Sequence, residues 1–227
     1  MRYQLGVEDM EPGHWIAWVF ALPGCFASAS SQDEAVADAP AEIGAYFAWL
    51  RAHEEPVPGA RETIETEVVS VFHSFTSEDD YLVNAFFEAD RSPLTPLDVA
   101  RALDLLSYSR QDLLNLFEHS SPDRLAHPIP GEVFDSITGI LMHIAQAERW
   151  YFHNIGLEQA PLPGDPLAAL DLVRAQTRAW LPELIGDQRI HEWKQEQWSA
   201  RKVLRRTLWH ERDHTKHIRK LLSQIGA

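Results

Sequence analysis

Four apolar stripes at helical spacing, each opened or closed by a capping residue or a Gly/Pro break, constrain residues 95–224 more than any other feature of the chain. Thr95 and Pro96 suit an N-cap and first helical position, and Val99, Leu103, Leu106, Leu113 and Phe117 follow in steps of three and four, interrupted at Arg110. A second helix is expected from about Glu132 to Asn154, with Phe134, Ile137, Leu141, Ile144 and Tyr151 on its stripe and an interruption at Glu148. Asp165 and Pro166 begin a third, with Leu170, Val173, Trp180, Leu181 and Leu184 inward and Gly186 as its stop. Ser199 caps a fourth, with Val203, Leu204, Leu208, Ile218, Leu221 and Leu222 as core positions. Such a pattern specifies a four-helix bundle.

The first 76 residues have another texture. His14 to Phe20 (HWIAWVF) reads as a strand, Pro23 and Gly24 as a turn, and Cys25 to Ala29 as a returning strand. Ser31 and Glu34 match a capping box for a helix carrying Ala35, Ala39, Ile43, Phe47 and Leu50, in which Pro40 either kinks the helix or marks its true start. After Pro56 to Gly59, ETEVVSVFHSF reads as one more strand, giving a β-β-α-β unit. This segment holds 12 acidic and 3 basic side chains against 22 and 17 in the remainder, so two units with different surfaces are expected. The whole is an α+β chain with domains at 1–76 and 95–227 and a connecting segment at 77–94, whose YLVNAFF (Tyr81 to Phe87) is able to pack on the helices.

The net charge of −14 disfavours nucleic acid, and the absence of a long apolar run or a basic-then-apolar leader leads us to expect a cytoplasmic protein away from membranes. One cysteine, Cys25, excludes an internal disulfide and a Cys-rich zinc site, so histidine must supply any metal site. Cys25 itself reads as a small buried hydrophobe, with nothing basic beside it in sequence to activate the thiol. His210 and His214 stand one helical turn apart on one face, and His217 also points broadly inward. HERDH (His210 to His214) satisfies the H-E-x-x-H pattern with Glu211 as base. However, no Glu or Asp follows His214, and His217 and Lys220 stand where the extended motif wants Gly and His, so the protease reading fails.

Residues 95–227 resemble the DinB-like superfamily, on LMHIAQAERWYF in the second helix and LRRTLWHERDHTKHI in the fourth. That family includes metal-dependent thiol transferases and maleylpyruvate isomerases that use a low-molecular-weight thiol. The resemblance implies a divalent metal, zinc first and nickel, iron, manganese or cobalt as alternatives, on His143, His210 and His214. Three neutral imidazoles leave coordination positions open, the arrangement of catalytic rather than structural sites. Residues 1–76 resemble the HicB-like fold of antitoxin proteins, on Trp15 to Phe20, the Pro23-Gly24-Cys25-Phe26 turn and the helix ending near Trp49. A different domain follows where many such antitoxins carry a DNA-binding tail, so no repressor role is implied.

Three functions stay open at this point: a transferase joining a small thiol to an electrophile, a regulatory or interaction protein with a metal-sensing or structural metal site, and a metal-dependent hydrolase. A homodimer is expected, with the N-terminal unit helping to dimerise or to shape the site. Arg110 and Glu148 either form a structural ion pair, or Arg110 binds a ligand carboxylate near the metal. The basic residues of the last helix, Arg201, Lys202, Arg205, Arg206, Arg212, Lys216, Arg219 and Lys220, read as a solvated face able to attract an anionic thiol.

Overall fold

The computed structural model describes residues 1–59, 63–118, 120–158 and 160–225, the last residue by its backbone only. The fold is mixed, an N-terminal sheet with one helix followed by a helical region, and the chain divides into two compact units. One comprises 1–92 with 192–198, and the other 93–191 with 199–227.

In the first unit β1 (Arg2–Glu11), β2 (His14–Val19), β3 (Phe26–Ala29) and β4 (Glu65–His73) form a sheet in the order β3-β2-β1-β4. β1 was not expected from the sequence, and it corrects the unit to β-β-β-α-β. Tyr3, Leu5 and Val7 do alternate and are buried, but Gly6 and the acidic pair Glu8 and Asp9 dilute the pattern. Gly6 is needed there because a Cβ would lie 2.4 Å from the Phe20 ring. Glu8 is tolerated in the core because its carboxylate accepts from Trp18 Nε1 at 2.9 Å and from the Ala85 N–H at 2.7 Å. β1 pairs antiparallel with β2 and parallel with β4, and the parallel pairing requires the crossover that α1 (Gln32–Ala52) supplies.

α1 begins behind Ser31, whose hydroxyl accepts from the Glu34 N–H, and runs through Pro40 to Ala52, so Pro40 does not mark its start. Ala35, Ala39, Ile43, Tyr46, Phe47 and Leu50 are its buried residues, and Cys25 is buried too. The short strands β5 (Phe75–Thr76) and β6 (Leu82–Val83) pair, and Val83, Ala85 and Phe87 are buried, Phe87 with its ring 5.2 Å from that of Phe20.

The helical unit holds α2 (Pro96–Asn115), the single turn α3 (Pro122–Leu125), α4 (Ile137–His153) and α5 (Pro166–Trp180), and α6 (Ala200–Ile225) after a hairpin described below. Thr95 and Asp98 form a reciprocal capping box on α2, Asp165 caps α5, and Ser199 accepts from the Lys202 N–H at the start of α6. Leu113, Ile140, Ile144, Leu170, Val173 and Ile218 belong to one continuous core drawn from all four long helices.

α4 starts five residues later than the apolar spacing suggested. Ser136 is the cap, accepting from the Gly139 N–H at 3.1 Å, and Asp135 takes a left-handed φ of 61° that ends helical geometry before it. Phe134 therefore lies in a turn rather than on the helix. A further hairpin, β7 (His191–Trp193) and β8 (Glu196–Trp198), precedes α6 and was also unexpected. Its two turn residues, Lys194 and Gln195, both have positive φ, a conformation that Asn-Gly would have announced and Lys-Gln does not. No described helix is long and apolar enough to cross a membrane.

Candidate metal centre

α4 presents His143, and α6 presents His210 and His214 one turn apart. Their donor nitrogens lie within 4.8 Å of one another. His210 Nε2 is 3.0 Å from His143 Nε2 and 3.2 Å from His214 Nε2. An imidazole lone pair accepts one proton, so at most one of these two contacts is a well-formed hydrogen bond between neutral rings. An ion with bonds of about 2.0–2.1 Å would set tetrahedral neighbours roughly 3.3 Å apart, close to the two spacings at His210 Nε2 and within the 4.8 Å that bounds the three donors.

The electrostatics keep these rings neutral. Burial, then the neighbouring His214, His143 and Arg206, pushes His210 well below its ordinary pKa. Burial, then His143 and His217, takes His214 down to about 3, and burial lowers His143. All three are thus lone-pair donors at neutral pH. Phe134 stacks on His143 with ring centroids 4.2 Å apart and planes 22° apart, fixing that imidazole from the turn before α4. His214 Nδ1 is buried without a hydrogen-bond partner among the described residues. His217 lies aside from the three, its Nε2 3.1 Å from a Glu132 carboxylate oxygen.

Arg110 is placed in a buried cluster to which each long helix contributes one charge: Arg110 from α2, Glu148 from α4, Arg174 from α5 and Glu211 from α6. Arg110 Nε donates to Glu211 at 2.8 Å, Nη1 to the Leu170 carbonyl at 2.6 Å, and Nη2 lies 3.5 Å from Glu148. Arg174 reaches Glu148 at 3.1 Å and Glu211 at 2.9 Å, and Thr177 donates to Glu148 at 2.7 Å. Burial opposes charge on Glu211, but Arg110 and Arg174 outweigh it and hold its carboxyl below the ordinary range. Burial likewise opposes charge on Arg174, which Glu148 and Glu211 overcome, raising its pKa. Glu211 Oε2 is thus held between two guanidiniums, while Oε1 is buried without a hydrogen-bond partner among the described residues.

Sequence reading passed over Arg174, although it carries the same signal as Arg110 and Glu148, a charge one turn after the buried Leu170 on an apolar stripe. The last helix also departs from the expected solvated basic face. Lys202 and Arg206 are buried, whereas Lys216, Arg219 and Lys220 are exposed. A cavity of about 810 Å³ adjoins the histidines, with His143, His210, Tyr151, Arg206 and Trp209 in its wall.

No family model matches the chain. The UPF0150 protein Ta0767 of Thermoplasma acidophilum is 34% identical over 58 residues, which cover 84% of that protein and 26% of this chain. The match lies in the N-terminal part, away from the histidines. Through that N-terminal part the chain belongs to the UPF0150 family.

Proposed function

We propose that the helical unit is a DinB-like divalent-metal site, with His143, His210 and His214 as the protein ligands and zinc as the first candidate ion. The convergence of three neutral imidazole nitrogens at 3.0 and 3.2 Å carries this reading, because those lone pairs have no mutually satisfying proton arrangement and suit a cation. Bound there, the ion would lower the pKa of a thiol or water toward neutrality. The chain's own contribution is to orient the donors. Phe134 fixes His143, and the cluster of Arg110, Glu148, Arg174 and Glu211 sets the relative register of the helices bearing the ligands.

Within that reading we favour a transferase that brings a low-molecular-weight thiol to a small electrophile, since the cavity beside the histidines leaves room for both. Titrating a small thiol into the cobalt-substituted protein tests it. A new thiolate-to-cobalt absorption band is expected, and an unchanged spectrum would instead favour hydrolytic or structural use of the ion.

An interaction role for the HicB-like sheet unit is a second, compatible reading. β4 is an edge of its sheet and exposes Val68, Val69 and Val71, an apolar edge of the kind that pairs with another chain. A homodimer formed there would lose mass in sedimentation on Val69→Lys, and an unchanged mass would dismiss this edge as its interface.

A further inference from the structure

Residues 129–135, just before α4, cross the histidine cluster as one closed turn. The Ile129 N–H donates to the Asp135 carbonyl at 2.7 Å, and Gly131 and Asp135 take left-handed φ values of 83° and 61°. Val133 at its tip is 85% exposed, so the residues beside it attach the turn to the helices. Phe134 lies flat on His143 and meets the His214 ring edge-on, with centroids 6.0 Å apart and planes at 79°. Its carbonyl sits so close to α4 that a Cβ at Gly139 would lie 1.9 Å from it. The Glu132 side chain, 9% exposed, accepts from His217 Nε2 on α6 at 3.1 Å, and its other oxygen lies 3.5 Å from the Phe134 N–H. One carboxylate thus ties the residue that stacks on His143 to the helix that carries His210 and His214.

We propose that this turn is a clasp for the metal ion: Glu132 and His217 latch it, and Phe134 restrains the imidazoles of His143 and His214 from swinging off the metal. The inference rests on the metal reading above and deepens it. Release from a three-ligand site is stepwise, since the imidazoles must rotate away one after another. A ring stacked on one imidazole and edge-on to a second restricts both rotations, and groups that orient ligands from behind change metal affinity by about 10–100-fold. The cavity reaches the centre along His143 and His210, so small ligands have a separate way in while the clasp stays shut. A clasped ion is a resident cofactor rather than a signal in rapid exchange with its surroundings. The clasp therefore favours an enzyme over a metal sensor, and it gives His217 a role other than ligation.

Transfer of zinc from the reconstituted full-length protein to an excess of a chromogenic chelator tests the clasp. Glu132→Ala, His217→Ala and Phe134→Leu are each expected to take up about one ion per chain at saturating zinc and to release it at least about tenfold faster than the unaltered protein. Thr95→Ala, which removes the α2 cap, controls for a general loss of stability and is expected to release zinc at the unaltered rate. Hydrogen exchange of the metal-free proteins reports whether the turn itself opens. Residues 129–139 are expected to exchange faster in Glu132→Ala and His217→Ala, and at the unaltered rate in Thr95→Ala. Zinc taken up by the three clasp variants but released no faster, an acceleration matched by Thr95→Ala, or unchanged exchange of residues 129–139 would overturn the clasp and leave the metal reading standing. No zinc uptake by the unaltered protein would remove the metal reading and the clasp with it.

Discussion

The helical unit has two polar clusters in its interior, and they differ in how they are satisfied. In the Arg110, Glu148, Arg174 and Glu211 cluster two cations meet two anions, and the spare donors reach the Leu170 and Leu106 carbonyls. In the histidine cluster three like groups converge, with no charge among them to compensate and with His214 Nδ1 lacking a partner among the described residues. The first arrangement is closed in charge, although Glu211 Oε1 lacks a hydrogen-bond partner among the described residues, and we read it as architecture. The second stays open in this sense, and on the proposed reading a cation completes it by accepting the three lone pairs.

The contrast is broken most severely at the closed cluster. Arg174→Met leaves Glu148 and Glu211 short of a cation in a dry environment and is expected to destabilise the protein by about 3–5 kcal/mol in urea unfolding. Replacing all four charges together by Leu and Met is expected to recover most of that loss and to retain metal binding, since a compensated ion network and an apolar core are nearly interchangeable energetically. If the quadruple variant folds but binds no metal, the network does more than hold register.

The open cluster responds to what fills it. Zinc at about a hundred times its dissociation constant adds about 2.7 kcal/mol, raising the melting temperature at pH 7.5 by roughly 5–10 °C. Acid removes this effect. The folded-state pKa of each histidine is depressed below an unfolded value of about 6.5, so the unfolded chain takes up protons that the folded one resists. Their contribution to stability is therefore present above about pH 6.5 and is lost as pH falls toward the folded values, about 3 for His214. Melts of metal-free protein should show this loss between pH 7.5 and 5, and His210→Asn should flatten it. Zinc stabilisation should also shrink toward pH 5, because protons compete for the same nitrogens. An equal zinc effect at both pH values would point to carboxylate ligands.

A smaller effect tests how the open cluster is held. Ser136→Ala removes the cap that starts α4 and is expected to destabilise by about 1 kcal/mol in denaturant unfolding. It also loosens the turn carrying Phe134, so zinc affinity should fall modestly. Unchanged affinity would show that Phe134 stacking does not position His143.

Much of the helical unit was legible because its stripes repeat over many turns and its caps are strong: Thr95, Asp165 and Ser199 all cap where the sequence placed them. The start of α4 was not, because Phe134 continues the apolar spacing of Ile137 and Leu141 while left-handed Asp135 breaks the backbone. Strand β1 and the β7–β8 hairpin were obscured by charged residues that tertiary contacts satisfy: Glu8 by Trp18 and Ala85, and Glu196 by Tyr81. Four-residue spacing put His210 and His214 on one face, but spacing alone does not bring α4 beside α6. That His143 meets them is a tertiary fact, as is the placement of Arg206 on the wall of the same cavity.

On the proposed reading His143, His210 and His214 form one metal site and His217 stands outside it. Elemental analysis of zinc-reconstituted His143→Ala and His217→Ala proteins, both confirmed folded, tests this directly. Near-complete loss of zinc is expected in the first and about one ion per chain in the second. Full occupancy in folded His143→Ala, or loss of zinc in folded His217→Ala, would contradict it.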